Sequence, residues 1–320
     1  MEGLLGITYR CNARCQMCNT WKYPTEKEKE IKAEYLEKLP EMRFTNITGG
    51  EPFLREDIDD IVKIIREKSK RIVISTNGFF TEKIIDLAKK NRDIGIRISI
   101  EGLTKANDEL RGIKGGFDRG LRTLIELKHM GMKDIGFGVT VSDKNAKDLL
   151  ALYKLACAMK VEFATATVHN SYYFHKMDNE IVDKEMVAGE FRKLVKEFLK
   201  TKTVKNWYRA YFNYGIINYI YGRKRLLPCE AGTELFYMDP LGEIRPCNGM
   251  NETMGNIREK TFEEIWNSEE AKRIREKVAR CQRNCWMIGS ASPAMKKYFW
   301  DPTIWIIKNK WLKRDLGGNL

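Results

Sequence analysis

Tyr9-Arg10-Cys11-Asn12-Ala13-Arg14-Cys15-Gln16-Met17-Cys18 holds three cysteines in the spacing C-x3-C-x2-C. It follows a short apolar run, Leu4-Leu5-Gly6-Ile7-Thr8, that reads as a strand. Three closely spaced thiolates can hold a four-iron cluster and leave one iron without a protein ligand. A fourth cysteine would close the cluster and reserve it for electron transfer. An open iron is where a substrate or cosubstrate binds. Other readings fit less well. The eight cysteines crowd toward the two ends of the chain with no signal peptide before them, which argues against a disulfide framework. A tetrahedral zinc site shows paired C-x2-C knuckles, and this trio is one ligand short. A bacterial ferredoxin has the different spacing C-x2-C-x2-C.

Working outward, strand-like runs recur at Phe44–Thr48, Ile72–Ser75, Ile96–Ile100, Ile135–Val141 and Val161–Val168. Helix-period segments lie between them, at Ala33–Leu39, Asp57–Lys68, Glu82–Lys90, Phe117–Met130 and Ala146–Lys160. Such alternation builds βαβ units on a parallel sheet. Six units by about residue 170 predict an α/β fold, a partial (β/α)6 TIM-like barrel, whose chemistry sits on loops after the strand C-termini. The polar motifs do follow strands. Gly49-Gly50-Glu51-Pro52 comes directly after the second, where paired glycines let the backbone approach a ligand closely and Glu51 offers a carboxylate for an ammonium group.

C-x3-C-x2-C followed one βα unit later by Gly49-Gly50-Glu51-Pro52 resembles the radical S-adenosylmethionine (SAM) family, from about Leu4 to Val168. The resemblance implies that Cys11, Cys15 and Cys18 ligate a 4Fe-4S cluster whose open iron binds SAM. It implies that Gly49 to Pro52 hold the methionine amino group. Where family members often carry an aromatic residue before the third cysteine, this chain has Met17, which can pack against adenine. Ser75-Thr76-Asn77-Gly78 and Ser99-Ile100-Glu101-Gly102 look like the family's strand-end motifs. Asn77 and Ser99 are then candidate SAM contacts, with a turn or cap role as the alternative. Glu101 stands where the family often has Asp. The implied chemistry is reductive cleavage of SAM to a 5′-deoxyadenosyl radical, fed by a flavodoxin- or ferredoxin-type reductant, and abstraction of hydrogen from a substrate C–H bond.

Cys229, Cys247, Cys281 and Cys285 form the second set. A hairpin, Glu234–Met238 to Gly242–Arg245, lies between the first two, and a helix over Phe262–Ala279 precedes the close pair. This layout resembles the small α+β extension of radical SAM enzymes called SPASM, in its short twitch form. It implies one auxiliary, fully coordinated 4Fe-4S cluster, with a structural zinc site as the competing reading. Cys157, in a helical run, reads as core. The resulting organisation is a core over 1–170, a helical connector over 171–227, the auxiliary domain over 228–290 and a tail over 291–320.

Lysine and arginine total 57 against 44 acidic residues, a net charge of +13, which favours anionic partners. No basic run has the form of a nucleic-acid module, so sequence-specific nucleic-acid binding is not expected. The connector turns aromatic at Trp207, Tyr208, Tyr211, Phe212, Tyr214, Tyr219 and Tyr221, as helix packing or as a substrate wall. In the tail, Ile304, Ile307, Trp311 and Leu312 can share a helical face among lysines and Arg314, a composition that suits either a docked helix or peripheral membrane contact. His129, His169 and His175 have no metal-ligand spacing, but His169 and Asn170 follow the sixth strand and can face the site. Free thiols and oxygen-sensitive clusters point to a reducing cytoplasm. The chain leaves no room for a peptide-recognition domain before Leu4. The expected substrate is therefore a small molecule, a sugar, nucleoside or lipid-linked glycan undergoing net oxidation, with ribosomal-peptide maturation and non-catalytic electron transfer as alternatives.

Overall fold

Six short β-branched runs, each followed by an amphipathic segment, pair as parallel strands in the computed structural model, which describes residues 1–312. They are β1 (Glu2–Gly6), β2 (Phe44–Thr48), β3 (Ile72–Thr76), β4 (Gly95–Ser99), β5 (Ile135–Val141) and β6 (Glu162–Thr167). The helices between them are α1 (Ile58–Lys68), α2 (Thr81–Lys90), α3 (Thr104–Arg111), α4 (Gly116–His129) and α5 (Leu149–Met159). Two connector helices follow, α6 (Lys184–Lys200) and α7 (Val204–Ile220). The extension holds β7 (Leu235–Met238), β8 (Glu243–Arg245), β9 (Gly255–Asn256), α8 (Phe262–Trp266), α9 (Glu269–Ala279), α10 (Ile288–Lys297) and α11 (Trp300–Lys310).

The sheet order is β6-β5-β4-β3-β2-β1-β7-β8-β9. The predicted hairpin therefore joins the barrel sheet itself: β7 pairs in parallel with β1, Leu4 opposite Tyr237, and turns antiparallel into β8. The apolar core lies between sheet and helices. Ile47, Ile74, Ile96, Ile98 and Phe137 pack outward beneath Ile61, Ile84, Leu124 and Leu152, all buried. The inward face is different. A closed barrel fills its interior with branched apolar side chains. Here β5 and β6 present Gly138, Thr140, Ala164 and Ala166 inward, and their neighbours present Asn46, Ser75 and Ser99. A Cβ added at Gly138 would meet nothing nearer than Arg97 Cβ at 4.0 Å. Small side chains thus hold the centre of the barrel open.

Several local expectations change. The first strand sits two residues earlier than Leu4–Thr8, because Thr8 Oγ1 leaves the ladder to accept from Arg10 N at 3.0 Å and to donate to Glu30. Ala33–Leu39 forms a 3-10 turn over Ala33–Lys38. Phe262–Ala279 is two helices, because Ser268 caps a second start by accepting from Ala271 N at 3.1 Å. The polar run Thr104–Arg111 forms a helix that hydrophobic periodicity did not reveal.

The aromatic connector packs on the tail with some of its rings and faces the barrel interior with others. Tyr208 and Phe212 face the barrel interior. Tyr214 stacks on Trp305 of α11 with centroids 5.0 Å apart, and Trp207 meets Trp311 edge-on at 5.1 Å. The tail is accordingly docked on α7, with Ile306 buried, while Trp300, Ile304, Ile307 and Leu312 remain exposed. Arg314 and the rest of 313–320 lie outside the described residues. Among those described, no helix is long and apolar enough to cross a membrane.

Gly215 in α7 lies against the indole of Trp286, the residue after Cys285, and Trp286 Nε1 donates to Phe212 O at 2.8 Å. A methyl group at position 215 would overlap the ring. Gly215→Ala is expected to lower unfolding free energy by about 1–3 kcal/mol, the usual cost of overpacking a core. It should also reduce the iron held by the C-terminal cysteines. Urea titration and iron analysis of the purified variant check both.

Candidate active site

The loop carrying Cys11, Cys15 and Cys18 leaves the C-terminal end of β1 and is stitched on two sides. On one side, Gly50 N donates to Thr8 O at 2.7 Å and Glu51 N to Arg10 O at 2.8 Å. Only glycine fits there, because a Cβ on Gly49 or Gly50 would strike the Thr8 or Arg10 carbonyl. On the other side, Arg14 N donates to Arg111 O at 2.9 Å and Gln16 N to Leu110 O at 2.8 Å. The loop thereby supplies donors to carbonyls at the end of α3 that would otherwise lack partners. Gly112 closes that helix in the left-handed region, at φ 58°, and a side chain there would collide with the Arg14 carbonyl.

Glu51 has a different role from the one its sequence position suggests. Its carboxylate is fully buried and does not open onto the barrel interior. Oε1 accepts from Thr76 Oγ1 at 2.7 Å and from Phe53 N at 3.2 Å, and Oε2 accepts from Asn77 N at 2.7 Å. The side chain ties the end of β2 to the end of β3 and is not presented to a ligand. Pro52 is likewise buried behind the loop, at the start of a 3-10 turn, and only Gly49 and Gly50 of the motif face inward. Asn77 is a turn residue in the first instance: its Oδ1 accepts from Phe79 N at 3.0 Å. Its Nδ2 donates to Asn12 Oδ1 at 2.7 Å, linking β3 to the cysteine loop. Ser99 and Met17 both line the interior.

Glu101 is buried and paired with Arg111, Nη1 to Oε1 at 2.8 Å, and its Oε2 accepts from Thr140 N at 2.5 Å. Arg111 is the site residue that pattern reading missed. Its guanidinium is buried and faces the interior, and Nε has no partner among the described residues. Burial works against its charge, but the paired Glu101 carboxylate helps to hold it protonated. The only signal in the sequence is an arginine ending a polar segment before Gly112.

The second cysteine set converges from three places: Cys229 before β7, Cys247 after β8, and Cys281 and Cys285 after α9. All seven cysteines open onto one chamber of about 1050 Å3. Arg225 also lines it, between the four C-terminal thiols and the Trp286 ring, with its guanidinium carbon 5.0 Å from the ring centroid. The donor set suits clusters. Burial pushes Cys11 and Cys247 up to about 12 and Cys15 up to about 11, and raises Cys18 and Cys285. Without metal these groups are protonated thiols, and metal binding must displace their protons. Among the described residues no three His, Cys, Asp or Glu side chains draw together tightly enough for a single ion. Cys157 is an exposed free thiol on α5, not the core residue expected.

Of the histidines, His169 alone faces the chamber. Its ring is buried, Nδ1 lies 3.3 Å from Thr167 O, and Nε2 has no partner among the described residues. Burial pulls its pKa down to about 4, so the ring is neutral near pH 7. His175 packs edge-on against Tyr9 outside the chamber, and His129 ends α4.

Residues 5–156 match the radical SAM superfamily model, and residues 229–286 match the SPASM iron-sulfur cluster-binding domain. The chain is 34% identical over 161 residues to Fe-coproporphyrin III synthase of Methanosarcina barkeri, covering 47% of this chain and 39% of that protein. It is 27% identical over 274 residues to the subtilosin biosynthesis protein AlbA of Bacillus subtilis, covering 82% of this chain and 58% of AlbA. In both cases the chain spans less than two thirds of the relative's length. Streptococcus suis SuiB shares the fold at TM-score 0.64 and 18% identity, over 88% of this chain and 68% of SuiB. SuiB is also known with S-adenosylmethionine and with its precursor peptide SuiA. With seven cysteines placed around one chamber and both domain models matched, the chain belongs to the radical SAM superfamily and carries a SPASM domain, which implies SAM, a SAM-binding 4Fe-4S cluster and an auxiliary 4Fe-4S cluster as its cofactors.

Proposed function

We propose that this enzyme cleaves SAM reductively and takes hydrogen from a C–H bond of an amphiphilic anion, a molecule with an extended apolar body and a negatively charged end. The observation that carries the reading is the single chamber shared by both cysteine sets and running down the open barrel. Cys11, Cys15 and Cys18 would hold the cluster, which when bound would supply the electron for reductive cleavage of SAM to the 5′-deoxyadenosyl radical. The rest is the work of the chain. Gly49 and Gly50 offer backbone to the methionine ammonium, and Glu51 fixes that backbone from behind. The Arg111 guanidinium would meet the methionine carboxylate, Met17 would pack on adenine, and Asn77 and Ser99 would border the nucleoside. The apolar walls, including Phe163, Tyr208 and Phe212, keep water from the radical. A net oxidation would pass the radical's electron to the cluster that Cys229, Cys247, Cys281 and Cys285 would hold and its proton to a base, and neutral His169, in the chamber wall, is the candidate base.

The sugar and nucleoside classes expected from the aromatic connector gain nothing from the relatives named above. Those are named for a coproporphyrin product and for a bacteriocin, and SuiB binds a precursor peptide. A tetracarboxylate macrocycle and a lipid-linked phosphate both satisfy the amphiphilic-anion description. Ribosomal-peptide maturation is the second reading, favoured by AlbA and SuiB. Peripheral membrane contact belongs to the same proposal. Trp300, Ile304 and Ile307 stand exposed on α11 beside Lys308.

Three outcomes are expected. Anaerobically reconstituted protein reduced with dithionite forms 5′-deoxyadenosine from SAM, and the Cys11→Ala, Cys15→Ala, Cys18→Ala variant does not; no product from the intact protein sinks the reading. Arg111→Lys, which keeps a cation beside Glu101 but loses the guanidinium fork, binds SAM about tenfold more weakly by equilibrium dialysis, roughly 1.4 kcal/mol. An unchanged Kd removes Arg111 from the site. Replacing Trp300, Ile304 and Ile307 together by serine abolishes sedimentation with anionic liposomes. Equal sedimentation of both proteins rules out the membrane contact.

A further inference from the structure

The end of the chamber farthest from Cys11, Cys15 and Cys18, at the N-terminal ends of the strands, is ringed by cations. Arg43 and Arg71 immediately precede β2 and β3, Arg97 projects from β4, Lys205 and Arg209 lie in the first turns of α7, and Lys296 lies near the end of α10. All six line the chamber. Their carboxylate partners are fewer and sit mostly behind them. Asp134 serves both Arg71, at 2.8 Å, and Arg97, at 2.5 Å. Glu162 serves both Lys205, at 2.8 Å, and Arg209. Glu234 pairs with Arg43 at 2.6 Å, and Glu2 with Lys296 at 2.5 Å. Of these four acids only Glu2 reaches the chamber wall. Six cations against four carboxylates leave an excess of positive charge, and the charge that faces the cavity is almost wholly positive.

Ion pairs made only for folding would not need this arrangement. One carboxylate per cation would satisfy each pair, and nothing would favour turning the cations inward. Arg97 is the clearest case. Its side chain is only 11% exposed, inside a barrel whose neighbouring inward positions, Gly138 and Ala164, are too small to fill the space above it. Its Nη1 donates to the Asp134 and Ile96 carbonyls, at 2.8 and 3.2 Å, so the guanidinium is held in place, while the one carboxylate it touches is shared with Arg71 and leaves net positive charge for a second anion.

We propose that this ring is the anchoring subsite for the negatively charged end of the substrate, a phosphate or carboxylate group, and that the open column above it carries the apolar body up to the radical. The inference rests on the amphiphilic-anion reading and adds where the anion is held. It also sets a length. Five residue steps of β3 separate Arg71 from Thr76, roughly 16 Å at about 3.3 Å per residue. SAM would occupy part of that span, so the charged end lies less than about 16 Å from the carbon attacked. A compact free sugar cannot bridge the two ends. Entry is from the same end, because Arg71 and Lys205 are about half exposed, 46% and 53%, while Arg97 behind them is not.

The test is binding, with full-length reconstituted protein and inorganic pyrophosphate as the probe, by calorimetry at moderate ionic strength. The wild type is expected to bind it. Arg71→Ala with Lys205→Ala, both at the solvent-facing rim, should weaken binding at least about tenfold, as loss of two charge-assisted contacts predicts. Lys63→Ala with Lys147→Ala, an equal charge change on exposed helical residues away from the chamber, should leave it unchanged. SAM affinity and 5′-deoxyadenosine formation should be the same in all three proteins, so a failure of the radical reading shows up separately. Displacement of pyrophosphate by coproporphyrin III assigns a carboxylate source, and displacement by farnesyl pyrophosphate a phosphate source. No pyrophosphate binding, equal weakening by both double variants, or displacement by neither amphiphile overturns the subsite.

Discussion

One buried carboxylate holds the catalytic end of this barrel together. Glu51 accepts from Thr76, Asn77 and Phe53 while its own N–H donates to the Arg10 carbonyl. A carboxylate with no exposed surface is tolerated only when its lone pairs are taken, and removing it would strand several buried donors at once. Through it the end of β2, the end of β3 and the cysteine loop become one unit. Asn77 continues the chain of contacts to Asn12, inside the cysteine run. The glycines before Glu51 can then carry the ligand-facing backbone, because the side chain behind them is rigid. Thiols that sit on a loop are in this way placed with the precision of a sheet.

The two ends of the barrel do different work. The upper end gathers Cys11, Cys15, Cys18 and the Arg111–Glu101 pair, and the lower end gathers cations whose carboxylates, Glu2 apart, stand outside the cavity. Between them, glycine and alanine on β5 and β6 give up the packing that a filled barrel would have. That loss is compensated on the outer face, where an isoleucine-rich layer is buried under α1, α2, α4 and α5. A protein that keeps its centre empty has placed its hydrophobic stabilisation on the helix side of the sheet and left the interior to a ligand.

The connector and extension close the structure around that space. β7 adds to β1 as a further parallel strand, so the auxiliary cysteines are carried on the same sheet as the first three. α7 contributes Tyr208 and Phe212 to the chamber and, through Gly215, a seat for Trp286 next to Cys285. Arg225 sits among the second set of cysteines with an aromatic face beneath it. A cation in that position favours the thiolate state that a cluster requires.

Strand and helix alternation, the C-x3-C-x2-C spacing and the Gly-Gly-Glu-Pro turn are local patterns, and from them the sequence by itself determined the parallel barrel, the radical SAM family with its cofactors, and which cysteines are the candidate ligands. Side-chain period and backbone tolerance are properties of neighbouring residues, so they can be read along the chain. The roles that depended on distant partners were decided by tertiary structure alone. Glu51 turned inward because Thr76 and Asn77 lie 25 and 26 residues away in sequence but within hydrogen-bond reach. Arg111 became a site residue because α3 ends against the cysteine loop. The cationic ring formed because the N-terminal ends of separate strands and two helices meet at one mouth. No periodicity marks such convergence, since charge and burial acquire their meaning only when the chain has brought these residues together.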